Sequence, residues 1–120
     1  MIVEISNSQN RLLIDTALGA RVVECHIGKY QILAPLKDHP LIGGWYLMAP
    51  WAGRIENNQI TFESKTYPQK INFQNWAIHG TVCFEESKII NQKQDLLETI
   101  NYSNSDWPVK AEIYQNLYAI

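Results

Sequence analysis

Between Val109 and Ala119 the side chains alternate: Val109, Ala111, Ile113, Leu117 and Ala119 are apolar, and Lys110, Glu112 and Asn116 between them are polar. A repeat of two puts one set on each face of an extended strand, whereas a helix would scatter both sets around its axis. The run predicts a strand over 109–118. No other stretch of the 120 residues offers a convincing amphipathic helix to pack against it. The chain is therefore expected to be one all-β domain over 1–120, with its strands antiparallel.

The rest of the chain divides in the same idiom. Extended runs are expected at Val3–Ser6, Arg11–Asp15, Ala20–Ile27 and Tyr30–Leu33. The polar cluster Asn7–Asn10 and the pair Gly28-Lys29 serve as turns. Pro35 to Pro40 and Gly43-Gly44 predict a surface loop, because two prolines within six residues withdraw ladder donors. Asn57-Asn58 reads as a hairpin turn between Arg54-Ile55 and Ile60–Phe62, and a second hairpin follows at Glu63–Lys65. Ile60 and Phe62 alternate with polar residues, which predicts a ribbon with one buried face. Further runs are expected at Thr81–Phe84 and Leu96–Tyr102. The last run carries apolar residues to Ile120, an edge of the kind that pairs with another strand or a second copy.

Composition removes whole classes of function. Net charge is −2 with a pI near 5.9 and no Lys/Arg cluster, so nucleic acid and anionic membrane are not expected partners. No window approaches the ~20 apolar residues of a membrane span, and the N-terminus has no basic region leading into a long apolar run, so a cytoplasmic protein is the expectation. Cys25 and Cys83 lie far apart in apolar contexts, without Cys/His ligand spacing, and read as buried free thiols. Neither a metal nor a cofactor is expected: no phosphate-binding Gly-rich loop leads into a helix, and no nucleophile elbow or paired histidines occur.

Two residues remain as candidates for a binding site. Arg54 lies among Trp51, Ala52, Gly53 and Ile55, where a planar fork of donors can hold hydroxyls or a carboxylate; its bland alternative is an ion pair with Glu56. His79 precedes Gly80, a setting in which backbone fixes one imidazole nitrogen while the other faces a ligand; its bland alternative is a satisfied core histidine. His26, in a strand-like run, and His39, in the proline loop, lack spaced partners and read as structural or exposed. Glu85 and Glu86 read as surface acids. Trp45, Trp51, Trp76 and Trp107 stand beside Gly, Pro or Asn, where an indole stacks on a sugar face or caps the core.

The order Leu47-Met-Ala-Pro-Trp-Ala-Gly-Arg-Ile-Glu-Asn-Asn-Gln-Ile-Thr-Phe, then Lys65-Thr-Tyr, Ile71-Asn and Ala77-Ile-His-Gly80, resembles the aldose 1-epimerase (galactose mutarotase) family. Asp106-Trp-Pro108 and Ala111–Leu117 resemble its continuation. The resemblance implies a large β-sandwich that interconverts the α and β anomers of free aldoses of the galactose or glucose type. It carries over two positions: Arg54 as the sugar-binding arginine and His79 as the histidine near the ring oxygen. Gly53 departs from the pattern, which has asparagine before the arginine.

Opening a hemiacetal ring requires a base at the C1 hydroxyl and an acid at the ring oxygen. In the family these are a second histidine and a late glutamate, downstream of anything in this sequence, in chains more than twice as long. The chain resembles the family's N-terminal part and is expected to bind an aldose without turning it over alone. The alternative is a non-enzymatic β-domain that associates with another copy, or with a complementing C-terminal polypeptide, through its terminal strand.

Overall fold

The computed structural model describes all residues, 1–120, and they form nine antiparallel strands in three sheets. Strands β1 (Ile2–Ser6), β2 (Asn10–Asp15), β3 (Arg21–Ile27) and β4 (Tyr30–Gln31) make a meander in spatial order 1-2-3-4. Strands β5 (Gln59–Phe62) and β6 (Lys65–Pro68) make a separate ribbon, while β7 (Lys88–Lys93), β8 (Leu96–Tyr102) and β9 (Glu112–Tyr118) make a second meander. The all-β expectation holds. No helix is long and apolar enough to cross a membrane.

The two meanders pack face to face. Val3, Ile5, Leu12, Ile14, Val22 and Cys25 from the first sheet close on Leu97 and Ala119, with Ile89 and Leu117 at the margin. Val22 and Cys25 are three residues apart and would point to opposite faces of a regular strand. Leu13 pairs with Glu24 and Ile14 with Val22, so Val23 is an extra residue, and this bulge returns both side chains to the core. Each fully buried Leu or Ile contributes roughly 1.5–3 kcal/mol over leaving it exposed.

The core is small for the chain. Only 21 of 120 residues are buried, the extents are 53 × 28 × 20 Å, and the radius of gyration is 15.7 Å. A compact domain of this length would have about 14 Å.

Several sequence expectations change. Arg54-Ile55 does not form a hairpin with Ile60–Phe62; it pairs with Ala77–His79, and a tight turn at Glu56–Asn58, with Asn57 and Asn58 at positive φ, leads into β5 instead. The β5–β6 ribbon does not bury one face: Ile60 is half-buried and Phe62 is 41% exposed, because no second layer covers it. Thr81–Phe84 is not a strand. Val82 and Cys83 are both wholly buried, which a half-covered strand cannot achieve at consecutive positions, and Val82–Phe84 is a 3-10 turn closed by Glu85 N–H donating to Val82 O. Strand β4 stops at Gln31, whose side-chain oxygen accepts from both Cys25 N–H and Leu33 N–H. Strand β9 starts at Glu112 because the Ser103 hydroxyl engages Val109 O and Ala111 N–H. Strand β7 was not foreseen; its apolar pair Ile89-Ile90 hides the alternation by placing a bulge at Ile90.

Strand β9 has β8 on one side and a free edge on the other. Its last residues fold back on the first meander, where Ala119 O accepts from the Asn7 amide and Ile120 O from the Asn10 amide.

Candidate functional site

Backbone packing builds the site first. Ala49 O accepts from Thr81 N–H at 2.8 Å and Val82 N–H at 3.2 Å, which lays Ala49-Pro50 against Gly80. Gly80 has φ 74°, and a Cβ there would strike the Ala49 backbone, so the approach requires glycine. One residue earlier, His79 itself adopts φ 63°. A left-handed non-glycine residue costs of order 1–3 kcal/mol and persists only where its surroundings impose it.

Gly53 imposes it. His79 N–H donates to Gly53 O and Gly53 N–H donates to His79 Nδ1, both at 3.0 Å. An Nδ1 that accepts leaves the neutral imidazole's proton on Nε2, which has no protein partner. The imidazole is half-buried, its ring centroid 6.2 Å from that of Tyr46. Gly53, at φ 73°, has open space where a side chain would project.

Arg54 lies in an antiparallel bridge with Ile78, directly beside the Gly53–His79 link. Its guanidinium carbon is 4.7 Å from the Trp76 ring centroid, and no carboxylate pairs with it, Glu56 included. The stack leaves its planar donors available at the surface. The structure thus brings Arg54 and His79 onto adjacent paired segments. Their side chains turn to different neighbours, Trp76 and Tyr46, and do not hydrogen-bond to each other.

Two asparagines hold the His79 segment from behind, and sequence reading missed their role. The Asn72 side chain accepts from Ile78 N–H at 3.0 Å and donates to Ile78 O at 2.8 Å. Asn58 accepts from Ala77 N–H at 2.8 Å and donates to Asn75 O at 2.9 Å. An asparagine amide mimics a peptide edge, so each replaces a missing strand. The only signal in the sequence was their place beside turns. His39 is structural, as expected: Nε2–H donates to Asn72 O and Nδ1 accepts from Leu41 N–H. His26 lies 2.9 Å from Glu24 on β3, away from this region.

Beneath the site is a buried cation. Arg21 has no exposed surface; it donates to Gly43 O at 3.1 Å and Cys83 O at 3.5 Å, and stacks 4.4 Å from the Tyr46 ring centroid. Burial lowers its pKa, against the opposing influence of Cys83 and Tyr46. Burial pushes the Cys83 thiol up to about 11, with Arg21 opposing. Cys83 and Cys25 are both free and buried, as read from sequence. Trp51 stacks on Trp107 with centroids 5.6 Å apart, a packing role for both indoles.

On the other side of Gly80 is a cavity of about 490 Å³, reached by Lys70, Asn72, Thr81, Phe84, Glu85 and Asp106. Arg54 and His79 do not line it. Glu85 is not the plain surface acid expected: it is half-buried, and burial raises its carboxyl above the ordinary range, with the nearby Thr81 hydroxyl opposing weakly. Glu86 is exposed. Nowhere do three His, Cys, Asp or Glu side chains converge to hold a metal.

The architecture has counterparts among solved structures. A protein of Escherichia coli K12 described provisionally as an aldose 1-epimerase superposes with a TM-score of 0.83 at 16% identity, over 98% of this chain and 41% of its own. The fold is that of the galactose mutarotase-like proteins. A galactose mutarotase related enzyme from Lactobacillus acidophilus gives 0.79 at 20% identity, over 100% of this chain and 39% of that one. A GalM/aldose epimerase homologue from C. elegans gives 0.76 at 20%, over 97% and 41%. The chain therefore spans about two fifths of the mutarotase-like structures it matches. No family model matches the sequence, and no curated protein does.

Proposed function

We propose that this chain is an aldose-binding domain of the galactose mutarotase-like fold, with Arg54 and His79 as its sugar contacts. The observation that carries the reading is the double link between Gly53 and His79, which fixes the imidazole with an unpartnered Nε2–H on a segment paired with that of Arg54, whose guanidinium stacks on Trp76. A fixed donor, a planar fork of donors and an exposed indole face are what a hexopyranose engages, its hydroxyls on the donors and its C–H face on the ring.

Binding is not turnover. Anomer interconversion is the reaction of the aldose 1-epimerase family, and it needs an acid and a base on the same sugar. Neither other imidazole is free to serve: His26 is held by Glu24 and His39 by backbone on both nitrogens. No carboxylate bonds to Arg54 or His79. These 120 residues hold a sugar, and the acid and base would have to come from residues outside them.

Titration calorimetry with galactose and with glucose tests this. Saturable heat that disappears in Arg54→Ala and His79→Ala supports the reading; no heat, or heat unchanged in both variants, overturns it. Optical rotation of freshly dissolved α-glucose, followed with the protein present, should decay at the rate of buffer.

A second reading, association without sugar, is favoured by the free edge of β9 with Tyr114 and Tyr118 exposed on its outer face. Sedimentation decides it: a dimer broken by a proline at Gln115 supports strand pairing between copies, and a strict monomer at high concentration removes it.

A further inference from the structure

We propose that the cavity beside Gly80 is a second binding site, built for a small uncharged polyhydroxylated molecule. Its volume, about 490 Å³, lies within the range of small-molecule sites. Its walls are tied down. Gln69 donates to Asp106 O at 2.6 Å, Asn104 Oδ1 accepts from Asp106 N–H at 3.0 Å, and Asn72 is bonded into the 78–80 backbone. The loop over 104–106 is thereby fixed against the segment that carries Lys70 to Asn72.

What marks the cavity is that its polar groups are unspent. Thr81 Oγ1 is buried and makes no well-formed hydrogen bond, although the Glu85 carboxyl is close enough to feel it. Lys70 and Asp106 form neither an ion pair nor a side-chain hydrogen bond, and Glu85 meets only the Thr81 hydroxyl. A buried hydroxyl left without a partner costs about 1–3 kcal/mol, so an unused one on a cavity wall points to a group that completes it from inside.

The mixture of groups selects the ligand class. An anion would meet two carboxylates, and a simple cation would meet Lys70. A hydroxyl both donates and accepts, so it answers the ammonium, the carboxylates and Thr81 alike. The Phe84 ring adds an apolar face for the carbon skeleton of such a molecule. Neither Arg54 nor His79 lines this cavity, so the two sites draw their side-chain contacts from different residues.

Amide ¹H–¹⁵N spectra of the whole chain, titrated in turn with glucose, inorganic phosphate, putrescine and glycine, test the proposal. Glucose should give saturable shifts at the amides of Thr81, Glu85 and Asn104. Thr81→Val and Glu85→Gln should each weaken that response about tenfold, the loss of one buried hydrogen bond. Asp106→Asn, on the exposed rim, keeps the test valid if either fails to fold, and should weaken it as well. Lys65→Ala, on the exposed β5–β6 ribbon and outside the cavity, should leave the response unchanged. Glucose shifts confined to Gly53, Trp76 and Ile78 would overturn the second site while leaving the sugar reading of Arg54 and His79 standing. Saturation of the cavity amides by phosphate, putrescine or glycine, but not by glucose, would overturn the ligand class. The absence of any saturable response to glucose would overturn the proposal outright.

Discussion

Two regions of this molecule are held by different physics. In the paired meanders, apolar side chains from β1, β2, β3 and β8 close a dry core, and the backbone is satisfied by regular ladders. Across 43–80 almost nothing is buried; isolated bridges, the amides of Asn58 and Asn72, and a run of left-handed residues do the holding. The first kind of stability is distributed over many contacts, while the second rests on a few specific atoms. The contrast teaches where function can be placed: the polar region leaves donors pointing outward because its fold does not depend on hiding them.

Leu97→Ala should give the largest effect. Leu97 has no exposed surface and joins the second meander to the first, so its truncation should cost about 3–4 kcal/mol in urea unfolding. Gly80→Ala comes next, at about 2 kcal/mol or more, since the new methyl meets the Ala49 backbone and φ is unfavourable. These two break different regions. If the comparison is right, Leu97→Ala lowers global protection in hydrogen exchange, whereas Gly80→Ala first exposes the amides of Gly53, Ile78 and His79.

The sheets were legible in sequence because period-two alternation survives in β1, β2 and β9, where one face meets the core and the other meets water. It failed where a bulge breaks the count, as at Ile90 in β7, and where a segment is buried all round, as at Val82-Cys83. Arg54 and His79 were readable as candidates from their Gly and Trp surroundings. Their pairing was not, because the partner of Arg54-Ile55 lies more than twenty residues on and is chosen by asparagine side chains rather than by an apolar pattern. Glu85 was misread for a related reason: its neighbours are remote in the chain, with Glu85 O accepting from Gly19 N–H and Asn104 and Asp106 sharing its cavity.

Asn72→Ala sharpens the same point at smaller scale. It removes two good hydrogen bonds to Ile78 and should cost about 1–2 kcal/mol, while reducing galactose binding by more than its effect on stability predicts. Glu85→Gln should give the smallest effect, with a defined pH dependence. The folded carboxyl titrates above its ordinary 4.5, so the protonated form favours the fold, and stability is lost as pH rises through the raised value. Unfolding midpoints of wild type and Glu85→Gln should coincide near pH 4 and separate toward neutrality, the variant being the more stable.

The central claim is that Gly53 holds His79 with its Nε2–H turned outward for a sugar hydroxyl. The ¹⁵N imidazole spectrum of the protein, recorded above the range in which histidine is charged, reads that tautomer directly. The account predicts a proton on Nε2 of His79 in the free protein and a saturable shift of that resonance on adding galactose. A proton on Nδ1, or an Nε2 signal that galactose leaves unmoved, would contradict it.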